Sequence, residues 1–351
     1  MRYGIIGTGM MGCEHILNIG LIPDAKVVAI ADPNETSRGW GRSLAGEAVE
    51  VYADYREMLR AAPVDAVVIA TPNFTHCDVL EDVFRTDKHV LVEKPLCTTV
   101  ADCHRIVDAA AKRPSLVWVG MEYRYMAAVA ALIEEVHRGT QGALRMLAIR
   151  EHRFPFLTKV GDWNRFNRNT GGTLVEKCCH FFDLMNHITQ RQPLRVYASG
   201  GQDVNHLDER YDGETPDIID NAYAVVDFAG GARALLDLCM FAENSLNEVE
   251  ITATGDRGKV QAFIPENALY ICRRDGSPHE RRTFDLDPAV RQAGAHQGST
   301  YFEHLAFIAA IRGGGRPVVT VEDGALAVAV GAAAELSIRE RRPVELSELG
   351  F

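Results

Sequence analysis

The sequence predicts an α/β protein of two parts: a doubly wound parallel sheet over residues 1–122, then an α+β domain with a large, mainly antiparallel open sheet over residues 123–351. Three observations carry this. Short, continuously apolar segments alternate with helix-length ones through the first ~120 residues. A glycine turn, Gly7-Thr8-Gly9-Met10-Met11-Gly12, stands between the first apolar segment and the first helix. Beyond residue 140 the strands lengthen and alternate in polarity, the pattern of a sheet with one solvated face.

In order, residues 2–6 read as a strand entering the glycine turn, 10–20 as the helix it opens, and 26–31 (KVVAIA) as a second strand buried on both faces. A helix over 34–46, a short strand over 49–52 and a helix over 54–61 capped by Asp54 follow. Residues 66–70 (AVVIA) form a strand ending in Thr71-Pro72-Asn73, then a helix over 75–85. Strand 90–92 ends in Glu93-Lys94-Pro95, with helix 99–111 and strand 116–120 (LVWVG) after it. After a helix near 127–138, alternating strands are expected over 144–153, 195–200, 221–228, 232–239 and 249–254. Gly230-Gly231 and residues 255–258 supply tight turns, and 269–273 with 281–284 form a further pair. Helices over 171–189, 297–312 and 321–339 are expected to cover one face of this second sheet.

A chain of 351 residues exceeds what one hydrophobic core usually serves, which fits two domains. Its formal net charge of −11 argues against nucleic acid or an anionic membrane as a partner. The opening residues read as a strand rather than a leader, and no apolar run approaches membrane-spanning length, so a cytoplasmic protein is expected. The eight cysteines include no C-x-x-C pair, which leaves zinc-ribbon and thioredoxin-like motifs unsupported. Vicinal Cys178 and Cys179 are expected to stay reduced, because neighbouring residues rarely meet disulfide geometry.

The glycine turn has the context that makes a G-x-G-x-x-G meaningful: strand before, helix after, and an acidic residue, Asp32, closing the second strand. Gly7 permits the tight turn, Gly9 lets a pyrophosphate approach the backbone, and Gly12 lets the helix pack on the strand. Met10 and Met11 place their N–H groups at the helix N-terminus, where phosphate binds. Asp32 matches a carboxylate that accepts hydrogen bonds from ribose hydroxyls, so NAD is expected over NADP; Arg38 is the group able to reach a 2′-phosphate. The first domain is therefore expected to be a Rossmann domain.

Taken with Thr71-Pro72-Asn73 and His76, Glu93-Lys94-Pro95, and Gly171-Gly172 ahead of Glu176 and His180, the chain resembles the Gfo/Idh/MocA oxidoreductases along essentially its whole length. The family takes its name from glucose–fructose oxidoreductase, inositol dehydrogenase and a rhizopine catabolism protein. The resemblance implies an NAD(P)-dependent enzyme acting on a sugar, sugar derivative or polyol, commonly as a dimer or tetramer. It implies that Lys94 is the catalytic lysine and His180 the catalytic histidine. It adds Thr71, Pro72, Asn73, His76, Glu93 and Lys94 to the cofactor-binding set. The family's D-x-G-x-H pattern reads Glu176-Lys177-Cys178-Cys179-His180 here: the carboxylate is one methylene longer and a cysteine replaces the glycine.

Oxidising a carbinol requires the hydroxyl proton to be removed and the developing oxygen charge to be met by a donor. Lys94 follows a buried strand at the carboxyl edge of the sheet, where open α/β folds bind ligands. Glu176, His180 and Asp183, spaced i, i+4 and i+7, are expected to share one helix face, extended by His187. His180 is then the general base, Glu176 orients it, and Lys94 hydrogen-bonds the reacting oxygen; the alternative is that Lys94 itself takes the proton. Asp183 alone reads as a surface or structural carboxylate, and the spacing shows no metal site. Arg124, His152, Trp163, Arg165 and Tyr301 are expected to meet the substrate, with Arg153, Asn164, Arg168 and His296 nearby.

The expected activity is NAD-dependent oxidation of a ring hydroxyl to a ketone, or the reverse. The alternative is a glycosidase or epimerase that uses NAD in transient oxidation with no net redox change. A non-catalytic nucleotide sensor is the third class, against which Lys94 and His180 argue. A free face on the long sheet points to a homodimer or homotetramer.

Overall fold

The computed structural model describes residues 1–351 in two compact units. The first comprises Met1–Tyr125, Lys159–Trp163 and Leu286–Val328, and the second Met126–Thr158, Asn164–Asp285 and Ala329–Phe351.

The first unit holds β1 (Arg2–Ile6), α1 (Met10–Gly20), β2 (Lys26–Ala31), α2 (Glu35–Ala45), β3 (Glu50–Tyr52), α3 (Tyr55–Ala61), β4 (Ala66–Ile69), α4 (His76–Val83), β5 (His89–Glu93), α5 (Val100–Ala110) and β6 (Val117–Gly120). All six strands are parallel, in the order β3-β2-β1-β4-β5-β6. The order reverses at β1/β4, and the crevice beyond such a switch point is where ligands bind. Asn34, Asp54 and Thr99 cap α2, α3 and α5 by accepting backbone N–H bonds, which ends the preceding loops where the sequence expects.

The second unit follows with α6 (Ala127–His137), β7 (Leu144–His152), α7 (Asn167–Thr170), α8 (Thr173–Glu176), α9 (Cys179–Thr189), β8 (Pro193–Gly201), β9 (Asn221–Phe228), β10 (Arg233–Cys239), β11 (Val249–Gly255), β12 (Gly258–Ile264), β13 (Ala268–Arg273) and β14 (Glu280–Thr283). The chain then makes α10 (Pro288–Gln292), α11 (Ser299–Gly313), α12 (Val321–Glu340) and a short β15 (Val344–Glu345). The sheet runs β14-β13-β12-β11-β7-β10-β9-β8-β15, antiparallel except for the β7/β10 pair. Its register aligns Ala198, Ala224, Leu236, Ile149, Ile251 and Ala262 across the buried face. Alanines in that row let helices approach closely: the Ser337 hydroxyl of α12 accepts the Ala198 N–H at 2.9 Å. The opposite face is open, and Tyr197, Val225, Leu235 and Ala148 form one exposed row across it.

Three expectations are corrected. The helix expected over 171–189 is two: α8 ends at Glu176, and α9 starts at Cys179. The late helix α11 does not cover the second sheet. It packs in the first unit, where His304 meets His15 of α1 and Glu303 accepts the Trp118 indole N–H at 3.1 Å. Docking α11 against α1 returns the chain to the first unit, so the compact units interleave along the sequence. Asp183 is buried rather than on the surface, since α9 is enclosed nearly all round.

Candidate active site

In the first unit the parallel register brings Ile6, Ile69 and Val92 level, so the glycine turn, Thr71-Pro72-Asn73 and Glu93-Lys94 emerge at one sheet edge. The three glycines differ in what constrains them. A Cβ on Gly7 would lie 2.6 Å from the Ala70 carbonyl oxygen, and one on Gly12 would lie 2.0 Å from that of Gly7. A Cβ on Gly9 meets nothing within 4 Å. Packing therefore demands Gly7 and Gly12, whereas Gly9 keeps clear a space that no protein atom fills. No side chain caps α1 and its first turn carries no acid, which leaves its positive end available to an anion. The Thr8 hydroxyl and the Asn73 side-chain nitrogen are buried without a hydrogen-bond partner in the protein. A dinucleotide fits this donor set: pyrophosphate on the α1 turn, polar partners for Thr8 and Asn73.

Asp32 accepts the Thr8 and Asn34 N–H groups, both at 2.8 Å, which braces the turn against the end of β2. Arg38 spends one guanidinium nitrogen on the Asp32 and Pro33 carbonyl oxygens at 2.7 and 2.9 Å. His76 is buried, with Nδ1 2.8 Å from the Pro95 carbonyl oxygen and Nε2 3.0 Å from that of Thr71. Burial lowers its pKa against the pull of those carbonyls. A neutral imidazole has one N–H, so it donates to one of these two carbonyls while the ring packs between the loop after Lys94 and the loop after β4.

Glu93 sits beneath this loop. Burial opposes its ionisation, but the His15 imidazole, at 2.8 Å, and the charge of Lys94 outweigh it and hold the carboxyl below its ordinary range. Around it lie further buried polar groups. Glu14 accepts from His296 Nδ1 at 2.8 Å, and Glu122 accepts from the Thr300 hydroxyl at 2.6 Å. Glu14, Glu122 and His296 each bring one ligand atom within 4.8 Å of the others. Burial pushes the Glu122 carboxyl up, and pushes Glu303 far up. The sequence reading missed Glu14, His15, Glu122, Glu303 and His304. One signal was legible: Glu14, His15 and Asn18 are polar on a helix whose inner face should be apolar.

Glu176, Lys177, His180 and Asp183 belong to the second unit, and all four are buried. The Gly172 backbone, at φ +102°, starts this segment; a Cβ there would lie 2.3 Å from Glu335 Oε1. That same oxygen accepts the Leu174 N–H at 2.9 Å, so α12 fixes the first turn of α8. Lys177 pairs with Glu151 of β7 at 2.9 Å, both out of solvent. Glu151 is the one acid on the covered face of β7, and Lys177 compensates it. The helix is interrupted at Lys177-Cys178, so Glu176 ends α8 while His180 and Asp183 lie on α9.

The residues expected to meet substrate fall in both units. His152 lies on the open face of its sheet with Nε2 3.0 Å from Asp237, opposite the face that carries Glu151. Arg165 is buried and bonded to Glu209 at 3.0 Å, and Arg168 to Glu214 at 2.5 Å, which pins the loop between β8 and β9. Arg124 is buried in the first unit, donating to the Val318 carbonyl at 3.1 Å and facing Asp323 at 3.4 Å. Trp163 packs edge-on to Phe74 at 6.4 Å, and Tyr301 to Phe302 at 5.4 Å. The strand alternation of 144–153 already placed His152 opposite Leu147 and Ile149; the Arg165 pairing, 44 residues away in sequence, left no local signal.

The chain matches the model of the oxidoreductase family's NAD-binding Rossmann fold over residues 1–121 and that of its C-terminal alpha/beta domain over 133–346. It is 29% identical to the myo-inositol 2-dehydrogenase of Thermotoga maritima over 354 residues, covering 99% of each chain. It is 36% identical over 280 residues to the inositol 2-dehydrogenase of Klebsiella pneumoniae subsp. pneumoniae, covering 79% of this chain and 77% of that one. A probable dehydrogenase from Thermotoga maritima superposes with a TM-score of 0.80 at 27% identity, over 99% of this chain and 100% of that one. The glycine turn, the Glu93-Lys94-Pro95 edge and the two matched domains thus agree: the chain belongs to the Gfo/Idh/MocA family and is an NAD-dependent oxidoreductase acting on CH–OH groups.

Proposed function

We propose that the protein oxidises a ring hydroxyl of a cyclic polyol of the inositol class. NAD accepts the hydride. Lys94 hydrogen-bonds the reacting oxygen, His180 takes the hydroxyl proton, and Glu176 orients the imidazole. The observation that carries this reading is the concentration of buried ionisable side chains at Glu176, Lys177, His180 and Asp183. Lys177 is taken by Glu151, but a structural helix turn has no use for the other three, and desolvated acids and bases cluster where protons are moved. Relatives aligned over most of their length are inositol dehydrogenases, which supports the polyol class over an open-chain substrate.

The test is absorbance at 340 nm with NAD and NADP against myo-inositol, scyllo-inositol and D-glucose. The expected result is NADH formation with an inositol, lost by a factor of about 10² or more in Lys94→Ala and His180→Ala while NADH binding persists. Product formed with catalytic NAD and no net NADH would instead establish the redox-cycling alternative. Turnover left intact by either substitution would refute the proton roles.

The open sheet face, with Tyr197, Tyr223, Val225 and Leu235 exposed, is the surface we assign to self-association. Tyr223→Lys is expected to lower the mass seen by light scattering toward one chain. An unchanged oligomer, or a wild-type monomer, would refute this assignment. No helix is long and apolar enough to cross a membrane.

A further inference from the structure

Beneath the Lys94 loop runs a chain of hydrogen bonds anchored on the Glu93 carboxylate. The Lys94 backbone N–H donates to Glu93 Oε2 at 3.1 Å. Glu93 Oε1 faces His15 Nε2 at 2.8 Å, and His15 Nδ1 faces His304 Nε2 at 2.9 Å. An ionised carboxylate only accepts, so His15 carries its proton on Nε2 and donates to Glu93. With His15 neutral its Nδ1 accepts from His304 Nε2, and with His15 protonated it donates to it; in both states the Glu93–His15–His304 contacts are made. Burial drives the His304 pKa well below its ordinary value, which keeps that ring neutral. Its Nδ1 has no partner and the ring stands edge-on to Tyr3 at 5.4 Å, so the chain of bonds ends there.

His15, His304 and Glu93 are all shut away from water. The seam between α1 and α11 is a place where apolar side chains would pack more cheaply than two imidazoles. The polar solution has a consequence an apolar one lacks. Gly9 and His15 lie at the start and middle of the same helix, so one rigid element touches both the dinucleotide turn and the residue before Lys94.

We propose that His15 and His304 are positioning residues: they hold the Glu93 carboxylate, which in turn fixes the backbone that aims Lys94, and so couple the dinucleotide turn to the catalytic lysine. The catalytic part of this rests on the role proposed above for Lys94; the positioning part does not.

The direct readout is the acetylation rate of Lys94 by acetic anhydride at one pH, measured by mass spectrometry relative to Lys26 and Lys112 in the same sample. His15→Leu and His304→Leu are expected to change the Lys94 rate by about threefold or more with the two reference lysines unmoved. His15→Gln, whose amide both donates and accepts, should restore most of it. With myo-inositol as the probe, His15→Leu should lower kcat about tenfold at an unchanged KM for NAD. Lys94 labelling equal to wild type in both leucine variants, with their circular dichroism intact, would overturn the proposal. If His15→Leu does not fold, His304→Leu and His304→Gln, which touch only the far end, carry the same comparison. Lys94→Ala is run alongside: if it retains turnover, the role of Lys94 fails while the labelling result still decides the relay.

Discussion

Replacing Glu335 by Gln should stabilise the protein in alkali and leave it unchanged in acid. Glu335 lies on α12, half-buried, and burial raises its pKa from 4.5 to about 7, against the opposing Leu174 N–H bond and Arg339. Because the folded pKa lies above the unfolded one, folding takes up a proton. The associated stability is complete below pH 4.5 and is lost as pH rises through 7. A displacement of that size at about 1.4 kcal/mol per unit makes the charged state cost roughly 3 kcal/mol at pH 9. Glutamine keeps the oxygen that accepts the Leu174 N–H and has no charge to desolvate. Urea unfolding of both proteins at pH 4 and pH 9 should therefore show Glu335→Gln more stable by about 3 kcal/mol at pH 9 and equal within about 0.5 kcal/mol at pH 4. The same difference at both pH values would mean that Glu335 titrates as an ordinary carboxylate. The reasoning from burial would then be refuted.

Gly12→Ala, whose Cβ meets a backbone oxygen at 2.0 Å, should destabilise by about 3 kcal/mol in thermal unfolding, whereas Gly9→Ala should cost under about 1 kcal/mol yet weaken NADH binding on the order of tenfold or more by fluorescence titration. Lys177→Met leaves Glu151 only the longer Arg153 contact at 3.4 Å and should cost about 3 kcal/mol by urea denaturation; adding Glu151→Leu should recover most of it. Asp32→Ala removes both the brace on Thr8 and the ribose acceptor, so the ratio of NAD to NADP affinity should fall by about tenfold, and an unchanged ratio would assign the preference elsewhere.

Much of the cofactor half was readable because its logic is local. The turn at Gly7–Gly12 needs glycine within a few residues of a strand end, and Asp32 closes the next strand, so spacing alone carries the information. The second unit was readable as strands, since period-two alternation marks each one, but not as a sheet. Nothing in the sequence says that β7 runs parallel to β10, a pairing made by residues about 87 apart. The break at Lys177-Cys178 was hidden for a related reason: the residues are helix-compatible, and Glu335, pinning Leu174 from 161 positions away, helps set where the first turn lies.

What the sequence by itself determined is therefore the kind of chemistry: a parallel sheet with a dinucleotide turn, a lysine at its edge, and a carboxylate and histidine in the following domain. What only the tertiary structure decided is how that chemistry is supported. The return of α11 onto α1 brings His304 to His15 and His296 to Glu14, across 289 and 282 positions. The physical reason is that periodicity and capping act over one or two turns of chain. The partner of a buried polar group, by contrast, is chosen by whichever element packs against it.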